Sequence, residues 1–188
     1  TLDVSDKDDQ KGNLKNWQAK GMFMPDGIAS FVQKNKQYYV VANEGDGRDW
    51  DGWVDELRVK DASIDATLEA QLVEAHGSDW KKDANLGRLT VSKSGDLDGD
   101  GDLDELQTYG ARSFSIVDQN GKLIFDSANR IEQIIKEKYP ALWDDGRSDN
   151  KGPEPESAVI GKVDGHTLLF LGLERSNAIM VWDLSDLK

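Results

Sequence analysis

Between Asp96 and Glu105 the chain places six carboxylates in ten positions: Asp96, Asp98, Asp100, Asp102, Asp104 and Glu105. Like charges at that spacing repel one another unless a hard divalent cation sits among them. The pattern D-x-D-x-D-G-x-x-D offers side-chain oxygens from Asp96, Asp98, Asp100 and Asp104, and it puts the backbone carbonyl of Asp102 at the seventh position. Gly101 permits the sharp turn a chain needs to wrap an ion, and Gly99 relaxes it further. An oxygen-only, flexible cage suits Ca²⁺ better than Mg²⁺, which demands strict octahedral geometry. A helix–loop–helix EF-hand fits less well, because its twelfth position is Gln107 and the residues before Gly95 have strand character. The expectation is a calcium site of structural role, stapling a long loop between strands; a solvated acidic turn is the plain alternative.

A second set mixes acids and bases at predicted strand ends. Arg48, Arg112 and Arg147, with Lys151 and Arg175, have the donors to hold a phosphate or carboxylate. Glu44, Asp46, Glu154, Glu156 and Glu174, joined by Asp26, are candidates for a second metal site. Acids and bases gathered in one cleft would serve a calcium-dependent phosphoesterase. Paired with each other, the same side chains would instead lock neighbouring strands together, and the sequence leaves both open. Neither His76 nor His166 falls in the set, so no Ser-His-Asp triad can be assembled. Zero cysteines exclude disulfides and thiolate metal sites, and two histidines are too few for a histidine-rich zinc or iron centre. Trp182 is expected in the core, whereas Trp50 and Trp53, among Asp49, Asp51 and Gly52, are expected on an exposed loop.

The elements that must position these residues are mostly short strands. β-rich runs bounded by turn residues predict strands at Gly27–Gln33, Gln37–Ala42, Gly87–Ser92, Ser113–Asp118, Lys122–Phe125, Ala158–Val163, Thr167–Leu173 and Ala178–Asp183. Asn120-Gly121 and Asp164-Gly165 predict hairpin turns. Helical periodicity appears at Leu68–His76, stopped by Gly77, and at Ser127–Tyr139, stopped by Pro140; both are expected as insertions on a β scaffold. A shift of 130 residues lays Pro25 on Pro155, and Gln37–Glu44 on Thr167–Glu174. Each unit has a proline–acid entry, a strand, a hairpin, a second strand and a Glu at its exit. That is the grammar of a β-propeller blade, and at ~40–50 residues per blade the chain would hold roughly three or four.

Bulk composition agrees with a soluble globular protein: 37% hydrophobic and 31% charged residues over 188, long enough for one domain with a real core. No apolar run approaches the ~20 residues needed to span a bilayer. A net charge of −13 argues against nucleic acid as a partner and is compatible with cation binding. The polar start without Met or an apolar signal segment predicts that the chain begins inside a longer product or after processing.

Several phrases carry a family resemblance: Met24-Pro-Asp-Gly-Ile-Ala-Ser30, Ala42-Asn-Glu-Gly-Asp46, Arg58-Val-Lys-Asp61, Asn85-Leu-Gly-Arg-Leu89, Gly110-Ala-Arg-Ser-Phe-Ser115, Arg147-Ser-Asp149, Lys151-Gly-Pro-Glu-Pro-Glu156 and Gly172-Leu-Glu-Arg175. Together they resemble the choice-of-anchor I proteins, often labelled alkaline-phosphatase-like or mesenchyme-specific cell-surface glycoprotein-like. The resemblance implies an all-β, propeller-type fold with short helical insertions, of which residues 1–188 are a single domain forming the C-terminal portion. It further implies an extracellular, periplasmic or cell-surface location, a surface or phosphoester ligand, and the remainder of the same propeller as partner. A looser likeness to phytase-like and PhoX-type phosphatase propellers stops at the iron-binding Cys of the latter, which has no counterpart here.

Overall fold

The computed structural model describes residues 1–186. Two hairpins organise it. Ile28–Gln33 (β1) and Lys36–Asn43 (β2) pair antiparallel across Lys34-Asn35, whose φ angles of 48° and 59° make the two-residue turn that matches strand twist. Pro155–Val163 and His166–Leu173 pair in the same way across Asp164-Gly165, with φ angles of 49° and 84°. Gln33 opposes Lys36 in the first hairpin and Val163 opposes His166 in the second, so the repeat seen in the sequence holds residue for residue.

Each hairpin gains a third antiparallel strand on the same side. Ser113–Asp118 (β3) pairs with β2 and carries Leu123–Asp126 (β4) at its edge. Numbering on, Pro155–Val163 is β5, His166–Leu173 is β6, and Ala178–Asp183 (β7) pairs with β6. The sheets therefore run β4-β3-β2-β1 and β5-β6-β7, and no sheet closes on itself among the described residues. Residues 44–112 separate β2 from β3, whereas 174–177 suffice between β6 and β7. Strands dominate, two helices interrupt them, and no described helix is long and apolar enough to cross a membrane.

Alternation along the strands sets the packing. Val40, Ala42, Phe114 and Ile116 from the first sheet meet Leu169, Leu171 and Leu173 from the second, all buried. Phe114 and Trp182 close the contact edge-on with ring centroids 5.0 Å apart. Helix α2, Arg130–Lys138, lays Ile131 and Ile135 into this core, so it is a wall of the β layer rather than an ornament on it. It starts three residues later than its periodicity predicts. Ser127 Oγ accepts the Phe114 N–H at 2.9 Å, and Ala128 sits at φ 47°, which is incompatible with a helix.

The long excursion builds a second core of its own. Val59, Leu68, Leu72, Trp80, Leu86, Leu89, Val91, Leu103 and Leu106 gather with Val4 and Trp17 from the first residues of the chain. Helix α1, Ala66–His76, supplies Leu68 and Leu72; Asp65 caps it by accepting the Thr67 and Leu68 N–H groups. The strand expected at Gly87–Ser92 is shorter than its apolar run implies. Only Thr90–Ser92 extends, pairing with Glu56–Arg58, while Leu86–Arg88 forms a 3-10 turn. Gly87 donates to the Lys82 carbonyl at 3.1 Å, and the turn aims both Leu86 and Leu89 inward, which an alternating strand could not do.

Candidate functional site

The acidic loop leaves the second core through a 3-10 turn at Lys93–Gly95 and returns at Leu103. Leu103 is buried and bridges parallel to Ile64, and its backbone is held by Ser63 and Asp65 at 3.0 and 3.1 Å. The neck closes where the Asp104 and Glu105 N–H groups both donate to the Gly95 carbonyl, at 2.9 and 3.1 Å. Both ends of the loop are thus tied to packed structure.

Within it, the aspartates accept backbone donors. Asp96 takes the Gly99 and Gly101 N–H groups at 2.7 and 3.1 Å, Asp104 takes Leu97 at 2.7 Å, Asp98 takes Asp100 at 3.2 Å, and Asp100 takes Asp102 at 3.1 Å. Gly99 and Gly101, at φ 83° and 101°, occupy backbone that side-chain-bearing residues avoid. The result is convergence: Asp96, Asp98 and Asp104 each bring a carboxylate oxygen within 4.8 Å of the others. Asp100 and Asp102 stand outside this trio. Loss of solvent, and then the negative charges of Asp100, Asp65, Asp104 and Asp98, push the Asp102 carboxyl above its ordinary value.

A second convergence lies where the two repeats end. The repeat puts Glu44 just past β2 and Glu174 just past β6, and Glu154, at φ 51°, immediately precedes β5. These three also bring oxygens within 4.8 Å of one another. Here, unlike in the acidic loop, basic groups are interleaved. Lys151 Nζ lies 3.0 Å from Glu44, 3.3 Å from Glu154 Oε2 and 3.9 Å from Asp46. Arg147 Nε donates to Glu154 Oε1 at 2.7 Å, and Arg175 reaches Glu174 at 3.1 Å and Glu154 at 3.4 Å.

Glu154 is fully buried, which opposes its ionisation, yet Arg147 and Lys151 outweigh burial and hold its carboxyl below the usual range. Its Oε2 makes no well-aligned hydrogen bond although Lys151 is within ion-pair distance. Burial lifts the Glu44 carboxyl despite the same lysine. Burial also works against the charge on Lys151, but Glu44 and Glu154 prevail and raise its value. Asp46 and Glu156 are exposed; Glu156 contributes to the junction through its carbonyl, which accepts the Gly27 N–H at 2.9 Å.

The three candidate phosphate-binding arginines occupy three different settings. Arg48 lies over Trp53, 5.4 Å from the ring centroid, and pairs with Asp55 at 2.6 Å beside an open cleft of about 750 Å³. Arg112 is buried, and its two terminal nitrogens are spent on Glu132, the Asp3 carbonyl and the carbonyls of Ser148 and Asn150, at 2.7–2.9 Å. Arg147 is committed to Glu154. Trp50 and Trp53 face each other across an exposed two-residue strand pair.

A profile of the choice-of-anchor I domain matches residues 1–187. The chain belongs to that family. Among curated proteins it is 32% identical over 117 residues to Gigasin-3a of Magallana gigas, an alignment covering 55% of this chain and 41% of that protein. It is 26% identical over 105 residues to the Mesenchyme-specific cell surface glycoprotein of Strongylocentrotus purpuratus, covering 44% of this chain and 14% of that protein. The chain thus spans less than half the length of either relative. No solved structure matches it.

In this choice-of-anchor I chain the phrases that carry the family likeness turn out to be physically joined. Asp149 accepts from Arg58 at 2.8 Å and from Arg88 at 2.9 Å, and Arg88 also pairs with Asp6 at 2.9 Å. Sequence reasoning missed this network and the Arg112–Glu132 pair. Their members lie far apart along the chain, and the only signal for them was an arginine beside an apolar run, which marks exposed positions equally well.

Proposed function

We propose that this chain is a calcium-binding, extracellular or cell-surface module in which the two repeated sheets are blades of a β-propeller. One observation carries the calcium reading: the convergence of Asp96, Asp98 and Asp104 in a loop closed at its neck. Three carboxylates at that separation supply hard oxygen ligands to an ion with flexible coordination, and the loop's carbonyls and water complete the shell. No basic residue pairs with any of the three among the described residues, so only backbone N–H groups offset their mutual repulsion until a cation binds. The blade reading is supported by the residue-for-residue repeat and the antiparallel strand order. The surface location is supported by the name of the sea-urchin relative.

For Glu44, Glu154 and Glu174 the interleaved bases supply the positive charge, and we assign that cluster to joining the two hairpin ends. With Arg112 and Arg147 already partnered, these two arginines form no phosphate clamp among the described residues.

Calorimetric titration of the chelator-treated chain with Ca²⁺ tests the calcium reading, read alongside thermal melts. At free calcium about 100-fold above Kd, an ion bound only by the native state adds ~2.7 kcal/mol. The Asp96→Asn/Asp98→Asn double variant should lose both the binding heat and the shift in Tm. Equal melts for the wild-type chain in calcium and in chelator would sink the reading.

A further inference from the structure

Asp49–Trp50 and Trp53–Val54 fold back on each other around Asp51-Gly52, with Gly52 at φ 81°, and Gly52, Trp53 and Val54 line the open cleft of about 750 Å³. Trp50 opposes Trp53 in register, so both indoles stand on one face of the pair. Trp53 is exposed by 57% yet fixed in place. Its Nε1 donates to Asp55 Oδ1 at 2.7 Å, Arg48 Nε donates to Asp55 Oδ2 at 2.6 Å, and the guanidinium lies 5.4 Å from the ring centroid. Lys93 holds the strand behind it, Nζ donating to the Val54 carbonyl at 2.6 Å and the backbone N–H to the Asp55 carbonyl at 3.0 Å. An indole whose N–H is already satisfied, on a braced strand pair, has only its ring face left to offer.

The rest of the lining narrows what that face receives. Met22 and Met24 add apolar surface, and Ser92, Ser94 and Tyr109 add hydroxyls. The charges balance, Asp46 and Asp55 against Arg48 and Lys93, and both bases are engaged. That balance gives a phosphate or another anion no net attraction. Nor does the cleft suit a further packed layer of polypeptide. The Asp46 side chain is 89% exposed with no base nearer than Lys151 at 3.9 Å among the described residues, and Arg48 is 54% exposed. Covering them with protein would strip their water with little to offset the loss.

A hexopyranose with equatorial substituents meets both conditions. Its ring face presents C–H bonds to an aromatic plane, and its rim presents hydroxyls that donate to carboxylates and accept from other donors. Two indoles on one face of a strand pair can take consecutive units of a β-linked chain.

We propose that this cleft binds a neutral, β-linked oligosaccharide of glucose or N-acetylglucosamine, one ring stacked on Trp53, the next on Trp50, and rim hydroxyls bonded to Asp46 and Ser94. Nothing in this depends on calcium or on the blades.

Calorimetric titration of the whole chain at fixed calcium with cellohexaose and with chitohexaose tests it. At least one should bind, and the one that binds identifies the source as a glucan or a chitin-type chain. Maltohexaose, whose α-linkages curve the chain, and inorganic phosphate should bind about tenfold more weakly or not at all. Trp53→Ala should weaken binding about tenfold, the loss of ~1.4 kcal/mol of stacking, and Trp50→Ala by less. Far-ultraviolet dichroism checks that both variants fold. Trp50 carries no bracing contact, so its variant tests the stack even where Trp53→Ala disturbs the hairpin. No heat from either β-linked sugar at millimolar concentration overturns the proposal. So does equal affinity for maltohexaose, or unchanged affinity in both tryptophan variants. Calcium binding by either variant should equal wild type, so this proposal and the calcium reading fail independently.

Discussion

Arg112 and Glu132 meet at 2.9 Å with side chains 4 and 2% exposed, and the arginine simultaneously satisfies the backbone carbonyls of Asp3, Ser148 and Asn150. One guanidinium thus ties the first residues of the chain, helix α2 and the segment before β5 to the start of β3. A planar fork with several fixed donors can do this where a lysine could not. Arg112 itself sits at φ 55°, an unfavourable backbone state that the surrounding bonds must hold.

Removing that fork should destabilise the fold. Arg112→Met leaves the Glu132 carboxylate buried without its partner, and breaking such a pair costs about 3–5 kcal/mol. Urea denaturation should show the midpoint falling accordingly. The double variant Arg112→Met/Glu132→Leu should recover part of the loss, since no lone charge remains buried. A midpoint within ~0.5 kcal/mol of wild type would deny the arginine its structural role.

In the acidic loop, geometry separates aspartates that the pattern treats alike. Asp98 belongs to the converging trio, whereas Asp100 lies outside it and accepts the Asp102 N–H. Asp98→Asn should therefore weaken calcium binding by about tenfold or more, and Asp100→Asn by less. Titration of both variants against wild type measures the difference. Equal losses would mean that the bound loop adopts a different set of ligands.

Lys151 places an ammonium within 3.3 Å of two of the three clustered glutamates, the position a metal ion would otherwise take. Lys151→Met should destabilise the chain in chelator by less than the ~3–5 kcal/mol of a wholly uncompensated buried charge, because Glu154 is buried and loses Lys151 but keeps Arg147. In a background with the acidic loop disabled by Asp96→Asn/Asp98→Asn, millimolar calcium should restore part of that loss. Identical melts with and without calcium would show that the glutamates cannot accept a divalent ion even when freed.

Legibility followed the range of the interaction. The hairpins were readable because alternation and turn chemistry are local: Asp164-Gly165 announces its turn, and Ile28–Asn43 matches Ala158–Leu173 after a constant shift. Helix α1 ends at Gly77 as its sequence predicts. The acidic loop was found because all its candidate ligands lie within one short segment. Residues 44–112 were not readable as a second core, since Leu86, Leu89 and Leu103 meet only through 3-10 turns and a parallel bridge that leave no period. Partner choice among charges was equally hidden. Glu154 lies only three residues from Lys151 and seven from Arg147, yet the sequence leaves open whether those bases pair with it or hold a ligand.

The β6–β7 edge gives a pH dependence whose sign follows from one carboxylate. Asp183 accepts from the Ser185 hydroxyl and backbone N–H, the latter at 2.8 Å, and pairs with His166 Nδ1 at 2.7 Å; together these hold its carboxyl down at about 2. Its unfolded value is near the ordinary ~3.9, so the folded state binds this proton more weakly. The contribution is present above that ordinary value and is lost as pH falls through the folded value. Asp183→Asn should therefore melt below wild type at pH ~5, and the gap should close as pH falls from ~4 towards ~2. Parallel thermal melts of the two proteins across that window supply the comparison. A gap that stays constant with pH would mean that the carboxylate's charge contributes nothing and only its shape matters.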